Sequence, residues 1–278
     1  METPTVDPDA FNAFEAAGWA ERADGYHRFF GSLTTQVIEP LLDAAGVGAG
    51  KRVLDVATGP GYCAAAAAAR GADAVGVDVA GEMLTLARRL HPGIEFVQGD
   101  AEHLPFDDGS FDAVVGNFLI LHLGRPERGA AELARVLDSG GRLALSTWDL
   151  PERTRLLGVF LEAAEEAGAA PPDIPAGPPF FRFAEESEFA RLLKDAGLAD
   201  VEVQTLSLTH RLTDADELWD GFRDGTVRTR ALLFGQAPET TERLRAAFDR
   251  RVRDYTAEDG SIELPVSVKV VSGRLAPN

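Results

Sequence analysis

The sequence predicts an α/β fold, a doubly wound and mostly parallel sheet, and three observations carry that expectation. Residues 52–148 alternate short apolar runs with helical stretches. The runs are continuously apolar, as in strands buried on both faces. A glycine-rich turn, "VLDVATGPGYC" at 53–63, follows the first of them and opens a helix.

The elements follow in order. Residues 1–50 read as an aromatic-rich helical cap closed by "LLDAAGVGAG", whose glycines stop a helix before the first strand. Strands are expected at 52–58, 74–79, 94–100, 111–119 and 142–148, and helices at 61–70, 81–91 and 125–137. The last of these helices places Ala130, Leu133, Ala134 and Leu137 on one face. A further helix runs to about 168, and the prolines of "AAPPDIPAGPP" then mark a loop. A helix at 188–197, a strand at 201–211, a helical insertion at about 214–258 and a final strand at 262–273 complete the chain. The last two strands pair antiparallel, which makes a seven-stranded sheet with a reversed last strand. The organisation is thus a cap (1–50), a ligand-binding core (51–149) and the rest of the sheet with a helical lid (150–278).

Composition narrows the function. The formal charge is -18, from 45 acids against 27 bases, of which only Lys51, Lys194 and Lys269 are lysines. Such a field repels a phosphate backbone. The densest basic stretch, "RLRAAFDRRVRD" at 243–254, is interleaved with acids and reads as a solvated helix face, so no nucleic-acid partner is expected. One cysteine, Cys63, excludes an intramolecular disulfide and a multi-cysteine metal site, and its alanine-rich surroundings bury it on a helix. No His/Asp/Glu cluster has metal-ligand spacing, and no metal is expected. The acidic amino-terminal stretch has no leader pattern, and no apolar run approaches the roughly 20 residues of a membrane span. A cytoplasmic protein without a membrane partner is the expectation. Nothing in the sequence sets the oligomeric state.

In an open parallel sheet, ligands bind beyond the carboxyl ends of the strands where strand order reverses. Gly59 and Gly61 leave the first strand at such a place and let a ligand approach the backbone. Asp78, 17 residues beyond Gly61, is placed to accept from ribose hydroxyls, and Asp100 from an adenine amino group. Asp55, Asp78 and Asp100 line one cleft with no base among them, which favours a cationic or zwitterionic ligand over a polyanion.

Four stretches in order, "VLDVATGPG" (53–61), "VGVDVAGEML" (75–84), "FVQGDAEHLPFDDGSFDAVVGNFLILHL" (96–123) and "ELARVLDSGGRLALSTW" (132–148), resemble the class I S-adenosylmethionine-dependent methyltransferases, in particular the quinone-type small-molecule branch. The resemblance covers about residues 35–148 and implies a Rossmann-like fold, S-adenosyl-L-methionine as cofactor and S-adenosyl-L-homocysteine as product. It also implies that Gly59 and Gly61 pack on the methionine part of the ligand, with Ala57 among the cofactor-binding residues. Asp55 then holds the loop amides or meets the α-ammonium through water. Asp78 binds the ribose diol, with Val79 and Met83 against the adenine ring. Asp100 takes the adenine amino group, the Ala101 backbone reads the ring edge, and Asn117 and Phe118 flank the sulfonium. Tyr26, on an amino-terminal helix with Trp19, His27 and Phe30, contacts the methionine end.

Methyl transfer asks the protein to align a nucleophile and exclude water. His122, after the fourth strand on the ligand side, is the candidate catalytic residue, accepting a proton from an acceptor hydroxyl. The alternative for it is a loop-capping or packing histidine. His103 and His210 read as structural or exposed. "PPFFRF" (178–183) with Trp219, Phe222, Leu232, Leu233 and Phe234 would roof an apolar acceptor pocket. Such a pocket points to a hydrophobic small molecule methylated at oxygen, and the arginine-rich, lysine-poor composition suits a natural-product pathway. Two alternatives remain open: a protein that binds the same cofactor for a cyclisation or rearrangement, and a nicotinamide-dependent oxidoreductase, which lacks its Tyr-x-x-x-Lys pair here.

Overall fold

The computed structural model describes residues 6–277; the first five residues of the expected cap, the last residue and the Phe234 side chain lie outside the described residues. The chain begins with α1 (Pro8–Phe29), α2 (Gly31–Thr34) and α3 (Ile38–Ala44). Asp7 starts α1, its Oδ1 accepting from the amides of Asp9 and Ala10 at 3.2 and 3.1 Å, with Pro8 in the first turn. The alternating core follows: β1 (Arg52–Val56), α4 (Tyr62–Ala69), β2 (Asp73–Asp78), α5 (Gly81–Leu90), β3 (Glu95–Gln98), β4 (Phe111–Gly116), α6 (Pro126–Arg135) and β5 (Leu137–Trp148). The rest is α7 (Arg155–Glu166), α8 (Glu186–Asp195), β6 (Leu198–Leu212), α9 (Ala215–Gly225), α10 (Arg228–Phe234), α11 (Pro238–Val252) and β7 (Ile262–Leu275).

The seven strands form one sheet in the order β3-β2-β1-β4-β5-β7-β6. All pairings are parallel except those of β7, which runs antiparallel to both β5 and β6, as the two-strand reading of the carboxyl-terminal part requires. Neighbouring residues of one strand are buried on opposite faces. Val53 joins the core with Leu33, Leu41 and Phe160, whereas Leu54 joins Leu133, Phe189 and Leu193 on the other side. That double burial is why the strands read as unbroken apolar runs.

Strand ends differ from the sequence reading for local reasons. β1 stops at Val56 because Ala57 turns to φ +54°, and β4 stops at Gly116 just before Phe118 at φ +57°. β5 begins at Leu137, which pairs with Phe111 across a bulge, so α6 ends earlier than expected. The helical insertion is also differently used. Phe222 and Leu233 are buried in the core, and Trp219 packs on Phe248 with ring centroids 5.2 Å apart, on the α7 side of the molecule. The basic stretch lies on α11, where Arg251 and Arg250 both meet Glu166 of α7, pairs that the sequence reading of a solvated face did not include.

α1 crosses α9 at glycines. A Cβ on Gly25 would stand 2.1 Å from the Asp224 carbonyl oxygen, and one on Gly221 would stand 2.1 Å from the Phe29 ring. Backbone cannot yield as a flexible side chain does. Gly25→Ala is therefore expected to destabilise the protein by about 1–3 kcal/mol, seen as a lower melting temperature. Gly48→Ala, whose methyl meets nothing within 4 Å, should leave it nearly unchanged.

Candidate active site

Strand order reverses between β1 and β4, and a cavity of about 370 Å³ opens at the carboxyl ends of β1 to β5. Its floor is the turn Ala57–Thr58–Gly59, in which Ala57 and Gly59 both have positive φ, +54° and +52°. An alanine in the left-handed region is uncommon and costs energy, so the surrounding contacts must enforce it. Two buried carboxylates do so. Asp78 accepts from the Gly59 amide at 2.8 Å through Oδ2 and from the Ala80 amide at 2.9 Å through Oδ1. Asp55 accepts from Thr58 Oγ1 at 2.5 Å and from the Ala64 amide at 3.0 Å, both through Oδ2. Its Oδ1 is buried without a partner among the described residues.

These acids are poised near neutrality. Burial pushes Asp55 up to about 7 against the pull of its Thr58 and Ala64 hydrogen bonds. Burial likewise raises Asp78 to about 6 despite the amides of Ala80, Gly59 and Val79. A cation entering the cavity would find two carboxylates ready to ionise and one unpaired oxygen. Tyr26, whose hydroxyl donates to Thr34 Oγ1 at 3.3 Å, is pushed up to about 12, first by burial and then by the charges of Tyr62, Asp78 and Asp55.

Most of the expected ligand residues converge here. Tyr26, Asp55, Ala57, Gly59, Asp78, Val79, Met83, Asp100, Ala101, Asn117, Phe118 and His122 all line the cavity. Val79 is 44% exposed, a rare open aliphatic side chain, while Met83 is buried beside it. Asp100 is oriented by the Glu102 amide on Oδ1 at 2.8 Å. Asn117 donates to the Thr34 carbonyl at 3.1 Å and accepts from Ser146 Oγ at 2.7 Å, and Phe118 stacks on Trp148 with centroids 4.0 Å apart.

Gly61 is the exception among the residues assigned to ligand contact. It does not line the cavity; a Cβ there would stand 2.7 Å from Phe96 and 3.1 Å from His91, so its φ of +83° and small size serve helix–strand packing. Gly59 is the glycine whose missing Cβ faces open space. The predicted roof is corrected too. Phe180 and the turn at 225–229, with Val227 and Arg228, line the cavity, whereas Trp219, Phe222, Leu232 and Leu233 do not. His27 also turns away, to a short contact with the Tyr62 hydroxyl. His210 is buried against Phe29, and His103 lies exposed beside Asp100.

Glu15 is a buried acid of the cavity wall that sequence reading missed. It lies 3% exposed on α1 and accepts from His122 Nδ1 at 2.9 Å and from Trp19 Nε1 at 3.0 Å, while Arg228 Nε pairs with it at 2.8 Å. Burial raises its carboxyl, but the charges of His122 and Arg228 and the hydrogen bonds more than offset this and hold it below the usual range. A signal was present: Phe11, Glu15 and Trp19 recur every four residues, which puts an acid on an apolar helix face.

A profile described as "Methyltransferase domain" matches residues 54–145. A demethylmenaquinone methyltransferase of Renibacterium salmoninarum is 33% identical over 176 residues, covering 60% of this chain and 74% of the relative. Another protein of that name, from Clavibacter sepedonicus, is 42% identical over 121 residues, covering 42% of this chain and 46% of its own length. Among solved structures, the YcgJ protein of Bacillus subtilis shares the fold with a TM-score of 0.56 at 21% identity, over 87% of this chain and 99% of that one. No helix among the described residues is long and apolar enough to cross a membrane.

Two expectations follow from the loop. Gly61→Ala should lower stability by about 2 kcal/mol or more through overpacking and a strained φ. Gly59→Ala should cost only about 1–2 kcal/mol of strain while blocking the cavity floor. Thermal melts and ligand titration of both variants separate the two roles. Asp55 binds its proton more tightly folded (about 7) than unfolded (3.8), so its contribution is favourable below about pH 4 and is lost as pH rises through about 7. Asp55→Asn, which can still accept from Thr58 and Ala64, should therefore stabilise the ligand-free protein by about 1–4 kcal/mol above neutrality. That gain should vanish towards pH 4, and a melting series across pH reads it directly.

Proposed function

We propose, since this chain belongs to the S-adenosylmethionine-dependent methyltransferase family, that it binds S-adenosyl-L-methionine at the β1–β4 end of the sheet and methylates an apolar small molecule at a hydroxyl oxygen. The observation that carries the cofactor assignment is the buried, unpartnered Oδ1 of Asp55 beside a glycine whose Cβ position is open. A ligand with a cationic end and a rigid apolar ring fits that floor and the exposed Val79. A dinucleotide pyrophosphate fits it badly: among the described residues Arg228 is the only Lys or Arg lining the cavity, and it is already paired with Glu15.

When bound, S-adenosyl-L-methionine supplies an electrophilic methyl group. The chain's own residues do the rest. Gly59 admits the methionine part, Asp55 faces its ammonium, and Asp78 offers the free lone pairs of its loop-holding oxygens to the ribose. Val79 and Met83 flank the adenine, with Asp100 and the Ala101 backbone at its edge. Asn117, held by Thr34 and Ser146, and Phe118, held by Trp148, set the wall beside the reacting centre. Leu121, Leu157, Phe180 and Val227 shape an apolar acceptor chamber, and His122 is its proton acceptor. The relatives named for demethylmenaquinone support an acceptor of the quinol class, and an apolar natural product with a hydroxyl fits the same chamber.

Calorimetric titration with S-adenosyl-L-methionine, S-adenosyl-L-homocysteine and NAD tests the cofactor. Binding of the two sulfur ligands with Kd on the order of micromolar, and none of NAD, is expected; the reverse pattern would overturn the assignment. With 1,4-naphthalenediol as acceptor probe, S-adenosyl-L-homocysteine should accumulate stoichiometrically with methylated product. Binding of both sulfur ligands with no S-adenosyl-L-homocysteine formed would favour a cyclisation or rearrangement catalyst. His122→Gln should lower turnover about 10²-fold with little change in cofactor affinity.

A further inference from the structure

Three segments distant in sequence meet at Glu15. It comes from α1, His122 from the 3₁₀ turn Ile120–His122 after β4, and Arg228 from the start of α10. Arg228 is itself fixed: its Nη2 donates to the Leu121 carbonyl at 2.6 Å, and its guanidinium lies over the rings of Phe180 and Phe11 at 4.6 and 5.3 Å. Replacing a buried ion pair by apolar residues of like volume is often neutral or stabilising, so fold stability alone is a poor reason for this knot. Its position on the cavity wall supplies a better one.

An ionised carboxylate can only accept hydrogen bonds. Neutral His122, 2.9 Å from Glu15 through Nδ1, must therefore carry its proton on that nitrogen. Its Nε2 is then the basic atom, and no residue among those described hydrogen-bonds it. The ring stands edge-on to Trp19 at 5.0 Å and 87°, which fixes its plane. Its side chain is 24% exposed on the cavity side.

We infer that Glu15 is a positioning residue, holding His122 in the Nδ1–H tautomer so that Nε2 takes the proton of a hydroxyl on the acceptor, with the Arg228 guanidinium paired to the other Glu15 oxygen at 2.8 Å. This rests on the methyl-transfer reading above and names its acceptor as a weakly acidic hydroxyl compound of the phenol or quinol class. The acceptor O–H bond breaks, its proton forms the Nε2–H bond, and its electron pair stays on oxygen, which becomes the nucleophile. The imidazolium, stabilised by Glu15, later gives that proton to solvent.

Nitrogen-15 NMR of the histidine-labelled wild-type protein at mildly alkaline pH tests the tautomer with no acceptor present, the signal being assigned by its loss in His122→Gln. Nδ1–H is expected, and Nε2–H overturns the inference. With 1,4-naphthalenediol, Glu15→Gln should lower kcat on the order of 10²-fold and leave KM for diol and S-adenosyl-L-methionine within about twofold. An unchanged kcat, or a loss confined to KM, overturns it. If Glu15→Gln fails to fold, Glu15→Leu with Arg228→Leu takes its place, because it leaves no unpaired charge. Failure of the wild type to methylate the diol counts against the proposed reaction, while the NMR result still decides for Glu15.

Discussion

The loop at the end of β1 exists because two carboxylates hold it from below and from the side. The Asp78 bond to the Gly59 amide and the Asp55 bonds to Thr58 and Ala64 join the backbone bonds from Thr58 to the Val77 carbonyl and from Gly61 to the Thr58 carbonyl in enforcing a turn that holds Ala57 at positive φ. Both acids are themselves fixed by the sheet: Asp55 is paired in register with Gly76 on β2, and Asp78 closes that strand opposite Gln98 of β3. Strand pairing in the core thus sets the position of each atom that a ligand would meet.

This arrangement has an electrostatic consequence. A carboxylate buried to hold backbone amides is costly when ionised, and here burial raises both acids, with the charge of Asp78 adding to the shift of Asp55. A protein has little reason to keep an unpartnered oxygen on Asp55 unless something cationic arrives to meet it. The acidic composition then reads as more than a solubility device: its negative field favours a positively charged ligand and disfavours nucleotide polyanions.

Legibility in the sequence followed the range of the contacts. The strands, the glycine turn and the acids near the carboxyl ends of β1, β2 and β3 were readable because each depends on neighbours within a few residues or on repeated strand–helix spacing. Gly61 was misassigned because its reason is Phe96, 35 positions away, which no local pattern shows. Trp219 and Phe222 were misplaced in the roof for a similar reason: an aromatic on an amphipathic helix declares that it is buried, not which neighbour buries it. Glu15 was legible as an anomaly and no more, since His122 lies 107 residues away.

α1 therefore belongs to the site and not merely to its covering. It contributes Glu15, Trp19 and Tyr26 to the cavity wall and is docked by glycine-tight contact with α9 and by two ion pairs in its amino-terminal half, Arg228 with Glu15 and Arg125 with Asp9. If α1 lifted away, His122 would lose its Glu15 partner and the chamber would open to water at the same moment. In the proposed reaction, proton transfer and water exclusion are thus both tied to one helix being in place.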